Sequence, residues 1–155
     1  AQRGQPLPET LRFLPVDFER QRLEDVLDAP GSPQFVTWLG TTYYLSLDAI
    51  AGTLGALASR SPPGSRLVLD YWEEAPPGSR DGVLLWGTRV ATALQFEPMR
   101  TFMTPATLVR LALETGWRVT EALDASAQNR RYLDGREDGL AVPAFAHLAL
   151  LERSG

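Results

Sequence analysis

Two short, nearly unbroken apolar runs, at residues 34–39 (QFVTWL) and 66–71 (RLVLDY), constrain this chain more than any other feature. Each is too short for an ordinary helix and shows little alternation, which predicts strands covered on both faces. Between them Ile50, Ala51, Leu54, Leu57 and Ala58 recur at helical spacing. Ser46 is placed to cap that helix and Asp48 puts negative charge in its first turn, so the helix runs to about Ser59. The breaker SPPG at 61–64 then ends it. Strand, helix and strand in this order predict a parallel pair in an α/β sheet.

The flanks extend the same pattern. Residues 11–16 (LRFLPV) read as a short strand, with Pro15 placing it at an edge or an end. Asp17 then caps a helix over 18–27, in which Leu23, Val26 and Leu27 share a face, and 29–33 (APGSP) turns the chain. After a polar loop at 75–81, Val83, Trp86, Val90, Ala93 and Leu94 mark one face of a further helix. Thr104 followed by Pro105 starts another, which ends at Gly116. Residues 117–122 alternate as an exposed strand, and 125–134 form one short helix. Residues 144–151 are a final strand or a short helix; Phe145, His147 and the aliphatic run favour the strand. The last two strands, joined by a long connection, pair antiparallel. Residues 1–155 form one domain, with the polar, Pro-rich 1–10 flexible.

Composition closes off several chemistries. There is no cysteine, which removes disulfides, thiolate nucleophiles and Cys-bound zinc. His147 stands alone, which is too little for a His-rich metal site, and it reads as a core residue. All fifteen basic residues are Arg, yet the net charge is −4 and no basic run forms, so neither nucleic acid nor an anionic membrane is an expected partner. No apolar run approaches the roughly 18 residues of a membrane span. With no signal-peptide pattern at the start, a cytoplasmic location is expected.

The order of several segments resembles one family. RFLPVDF (12–18), WLGTTYYL (38–45), RLVLDY (66–71), EPMR (97–100), and NRRY (129–132) with REDGL (136–140) look like successive blocks of the leucine carboxyl methyltransferase family. The bacterial polyketide O-methyltransferase-like branch is the nearest in pattern. The likeness runs from about Leu11 to Arg153. It implies a class I methyltransferase using S-adenosylmethionine, with a Rossmann-like α/β sheet flanked by helices.

Members of that family carry a strand and a glycine-rich loop upstream of the VDF block, and then an acidic residue that holds the cofactor ribose. The segment before Leu11 supplies neither, and the spaced pair Gly52 and Gly55 lies inside a predicted helix. By this resemblance the chain is a C-terminal half, lacking the first two strands and the glycine-rich loop, with weak or absent cofactor binding on its own. The absent strands would sit beside 34–39. Its open edge would then be met by self-association, by the missing N-terminal half, or by a rearranged N-terminal segment.

Before any family is considered, Asp17, Gly40 and Asp70 fall at the carboxyl ends of predicted strands, where open α/β sheets bind ligands. The resemblance implies that Asp17 accepts a hydrogen bond from the adenine amino group with Phe18 beside the ring. Asp17 serves equally as a helix cap. Trp38 and Gly40 would face the methionine portion, and Tyr44, Arg100, Asn129, Tyr132 and Arg136 a small-molecule or peptide acceptor. A guanidinium grips a carboxylate in a bidentate fork, which suits an acidic acceptor. The reaction would move a methyl group to a carboxylate or hydroxyl oxygen, and no general base stands out. The competing expectation is a non-catalytic association module built on the same half-sheet.

Overall fold

The computed structural model describes residue 8, residues 10–28 and residues 30–155. The segment expected to be flexible, 1–10, therefore lies outside the described residues apart from Pro8 and Thr10. The order of elements is β1 (Phe35–Trp38), α1 (Leu47–Arg60), β2 (Arg66–Trp72), α2 (Arg80–Leu94), α3 (Pro105–Glu114), β3 (Trp117–Leu123), α4 (Ala125–Gln128) and β4 (Ala146–Arg153). They build a four-stranded sheet in the order β1-β2-β4-β3. β1 and β2 are parallel, joined through α1, whereas β4 runs antiparallel to both β2 and β3.

Local chemistry explains the helix ends. Ser46 Oγ accepts the amide of Ala49 at the start of α1. Thr104 does the same for Thr107 in α3, where Pro105 costs nothing because its missing N–H falls in the first turn. At the start of α2, Gly82 is required by close approach: a Cβ there would lie 2.3 Å from the carbonyl oxygen of Pro76.

One face of the sheet carries the core. Leu67, Leu69 and Tyr71 of β2 and Ala149 and Leu151 of β4 pack against Ile50, Leu54 and Leu57 of α1 and Leu108, Leu111 and Ala112 of α3. Trp117 is fully buried there, and its Nε1 donates to the carbonyl of Leu54 at 2.9 Å. Because side chains alternate along a strand, Val68, Leu148 and Leu150 point the other way. They line a groove of about 190 Å³ with Phe35, Leu123 and Tyr132.

Four expectations are corrected. Residues 11–16 form no strand; Leu11, Phe13 and Leu14 are exposed, and no neighbouring strand among the described residues gives their backbone a ladder. Residues 18–27 form a tight turn and a single 3-10 turn over Leu23–Asp25 instead of a helix. Asp17 Oδ1 accepts the amide of Glu19, closing that turn locally. Neither apolar run is covered on both faces: Phe35 and Thr37 of β1 are exposed and its outer edge meets no strand among the described residues, while burial alternates along β2, with Val68 half-buried on the open face of the sheet. Residues 125–134 split into the short α4 and a π turn over Asn129–Leu133.

The face of α2 marked by Val83, Trp86, Val90 and Leu94 turns outward, and only Leu85 of that helix is buried.

Candidate functional site

The parallel pair β1–β2 ends in a shared rim, the place where an open α/β sheet leaves room for a ligand. Gly40, just beyond β1, has φ of +73°, a conformation that side-chain-bearing residues resist. Its amide donates to Asp70 Oδ1 at 2.8 Å, tying the end of β1 to the end of β2. Thr42 Oγ1 donates to the carbonyl oxygen of Asp70 at 2.7 Å, and Tyr43 packs on Trp72 with ring centroids 4.4 Å apart. Asp70 thus fixes the turn through both its side chain and its main chain.

The segment after α2 closes the other side. The amides of Arg100 and Thr101 both donate to the carbonyl oxygen of Tyr43, at 2.7 and 3.3 Å, and Thr101 Oγ1 donates to that of Leu45. From the N-terminal side, Glu19 accepts the amide of Ser46 with Oε1 and its hydroxyl with Oε2, while Arg100 Nη1 stands 3.5 Å from Oε1. The result is an open cleft of about 430 Å³ lined by Glu19, Gly40, Tyr44, Phe96, Glu97 and Arg100. The Phe18 ring lies 6.5 Å from that of Trp38, which is buried with an unpartnered Nε1.

Electrostatics follow the geometry. The Ser46 backbone hydrogen bond holds the Glu19 carboxyl below its ordinary pKa, with the nearby Arg100 adding to the effect. Burial pushes the Asp70 carboxyl up, only partly offset by the Gly40 amide. Burial, and then the charge of Asp70, raises the Tyr43 hydroxyl to about 12. Asp70 therefore holds its proton more tightly in the folded state than in the unfolded one. Its ionisation lowers stability as pH climbs from the ordinary carboxyl value through the raised one. An Asp70→Asn variant, whose amide oxygen still accepts the Gly40 amide, is expected to unfold at higher urea than the parent at pH 7. At pH 3, where the carboxyl is neutral in both states, the difference should vanish. Urea titrations at the two pH values check this.

The structure brings Gly40, Tyr44 and Arg100 to one cleft, whereas Phe18 and the buried Trp38 pack on each other without lining it, and Asp17 sits in the turn before Glu19. The three C-terminal residues lie apart from this cleft. Asn129 exchanges hydrogen bonds with the backbone of Val142, Tyr132 lines the groove on the open sheet face, and Arg136 is paired with Asp138. Glu19 is the residue that sequence reasoning missed. Its partner Ser46 is 27 positions away and its carboxylate belongs to no local motif. Among the described residues no cluster of three or more His, Asp or Glu side chains suits a metal ion, and no helix is long and apolar enough to cross a membrane.

No protein-family model matches the chain. It is 28% identical over 147 residues to YktD of Bacillus subtilis (strain 168), whose name describes an S-adenosyl-L-methionine-dependent methyltransferase assigned by inference; the match covers 91% of the chain and 48% of YktD. Among solved structures, a DUF574 family protein from Streptomyces avermitilis superposes with a TM-score of 0.57 at 18% identity, covering 86% of the chain and 48% of that protein. The mitomycin 7-O-methyltransferase MmcR superposes with a TM-score of 0.56 at 12% identity, covering 91% of the chain and 33% of MmcR. The fold is shared with methyltransferases. The chain spans about half the length of the curated relative it matches. The methyltransferase likeness of the sequence reading is thus supported in both sequence and fold.

Proposed function

We propose that this chain forms the acceptor side of an S-adenosylmethionine-dependent O-methyltransferase of the leucine carboxyl methyltransferase type, together with one edge of its cofactor site. The observation that carries the reading is the Gly40 turn, bared of a side chain and held to Asp70 across the ends of two parallel strands. The nearest atom to a Cβ at Gly40 would be the Tyr43 hydroxyl at 3.8 Å, so the backbone there stands open to a close approach. Phe18 and Trp38 would wall the same edge, with Asp17 at its entry.

The fit to the cofactor is partial. No glycine-rich loop follows a strand among the described residues, and Gly52 and Gly55 lie within α1. Asp17 and Asp70 each spend an oxygen on a backbone amide. The chain alone is therefore proposed to hold the cofactor weakly and not to turn over. The open edge of β1 is proposed to receive the remainder of the sheet.

When bound, the cofactor supplies a methyl group already activated on a sulfonium, so the task left to the protein is alignment. Arg100 and Tyr44 line the same cleft as Gly40 and would orient an anionic acceptor. A carboxylate oxygen needs no general base at neutral pH, whereas a hydroxyl does. Tyr43, with its hydroxyl near 12, is a poor base, and Asp70 is committed to the turn. The chemistry favours a small acidic acceptor.

Nitrogen-15 NMR titration of the chain with S-adenosylhomocysteine tests this. Shifts are expected at Phe18, the Trp38 indole and residues 40–44, approaching saturation only above about 100 μM ligand. Shifts confined to other regions, or none at millimolar ligand, would sink the claim that this chain carries an edge of the cofactor site. Tight, low-micromolar saturation would overturn the partial-site reading alone.

A further inference from the structure

α2 is a fifteen-residue helix whose solvent side is apolar. Val83, Trp86 and Leu94 are 62%, 68% and 76% exposed, with Leu84 and Val90 beside them, and Phe96 just beyond the helix is 94% exposed. Val83, Trp86, Val90 and Leu94 recur at helical spacing, so they form one stripe. The inward side sets Leu85 among the half-buried Asp81, Thr88 and Thr92, and at its border stands the exposed Arg89. Arg89 is held by Glu74 at 3.1 Å and lies over the Phe102 ring at 4.5 Å. An ordinary surface helix presents the reverse pattern.

The turn that ends α2 adds a second observation. The amide of Phe96 donates to the carbonyl of Ala93 and that of Glu97 to the carbonyl of Thr92, the bonding of a glycine-type helix terminator. The residue in the left-handed position is Phe96, at φ of +63°, among the described residues the one non-glycine with positive φ. A bulky side chain is disfavoured in that conformation. The fold holds a large aromatic in a glycine's place and aims it into solvent, which is the kind of local strain found where a contact is made.

We infer that the α2 face is an interface between two copies of this chain, formed by antiparallel pairing of α2 with its counterpart about a two-fold axis between Thr88 and Arg89. The face is self-complementary about that point, as an isologous interface requires. Val83 meets Leu94 of the second copy, and Trp86 meets Ala91, whose small side chain together with Gly87 leaves room for the indole. Arg80 meets Glu97; neither belongs to an ion pair among the described residues. Phe96 of the second copy arrives opposite Asp81 and Gly82. There a groove of about 360 Å³ is lined by Pro77, Gly78, Gly82, Val83 and Trp86. An aromatic anchor in a pocket at each end of the stripe is the arrangement that carries most of the affinity in protein interfaces. Two aromatic and four aliphatic side chains at these exposures present on the order of 700 Å² of surface. That is close to the ~800 Å² each partner contributes to a standard interface. The inference does not rest on the methyl-transfer reading, although Phe96 and Glu97 also line the cleft beside Gly40.

Sedimentation equilibrium over a roughly hundredfold concentration range tests it. The chain is expected to dimerise reversibly. Trp86→Glu, at an exposed position and so compatible with folding, should weaken the dimer at least about a hundredfold, with the circular dichroism spectrum unchanged. Arg80→Glu should weaken it about tenfold, and the double reversal Arg80→Glu with Glu97→Arg should restore it to within about threefold. A parent chain that stays monomeric at the highest concentration overturns the inference. So does a dimer that survives Trp86→Glu, which would place association elsewhere, such as the β1 edge. A double reversal no stronger than the single one has the same consequence.

Discussion

Replacing Trp117 by Ala is expected to remove about 3–5 kcal/mol of stability, the range for emptying a fully buried aromatic site. A domain of this kind has roughly 5–15 kcal/mol in all. The indole is wholly enclosed where β3 meets α1 and α3, and its Nε1 is bonded to the Leu54 carbonyl in the middle of α1. The substitution leaves a cavity and also cuts the side-chain hydrogen bond that joins β3 to α1. Trp117→Phe separates the two effects: most of the volume stays while the bond goes, so a loss of about 1 kcal/mol is expected. The midpoint of urea unfolding reads both. An Ala variant that unfolds within experimental error of the parent would show that the core is organised around something else.

Gly40→Val is expected to abolish the response to S-adenosylhomocysteine at residues 40–44. A β-branched residue resists φ of +73°, at a cost of about 1–2 kcal/mol. The escape is a flipped peptide, which takes the amide away from Asp70 and leaves a partly buried carboxylate without its donor. Weakening of ligand binding by more than about tenfold is the expected reading, since that needs only ~1.4 kcal/mol. Gly40→Asn is the control: asparagine tolerates the left-handed region and should keep most of the response. If both variants bind like the parent, the Gly40 turn is not the ligand edge.

The parts of the fold legible in the sequence are those whose evidence is local. Ser46 and the pair Thr104 and Pro105 announce helix starts through chemistry confined to one turn, and α1 and α3 follow. β2, β3 and β4 were legible as apolar or alternating runs. Residues 11–16 show the opposite case. LRFLPV has the composition of a strand, but a strand exists only when a neighbour takes its hydrogen bonds, and none does among the described residues. α2 shows a subtler limit. The spacing of Val83, Trp86, Val90 and Leu94 correctly marks one face of a helix, yet periodicity does not say whether that face meets the core of its own chain or the outside.

The candidate site divides in the same way. Gly40, Tyr44 and Arg100 were singled out and do share a cleft. Asn129 and Arg136 were singled out by the same resemblance and are engaged in their own loop, by the Val142 backbone and by Asp138. What holds the cleft together is less visible in one dimension. Glu19 reaches Ser46 and Arg100 from far along the chain, and Asp70 bonds Gly40 across thirty positions. Contacts of that kind arise from topology and leave no spacing to read.

The strand order β1-β2-β4-β3 dictates when the sheet can be finished. Its third position is filled by residues 146–153, which are synthesised after the other three strands, so until they emerge β2 has one flank unpaired and β3 has no partner among the described strands. Pairings so distant in sequence are slow to form. During synthesis the nascent chain therefore passes through a stage in which two strands stand ready on either side of a gap, and the segment that closes it emerges after both.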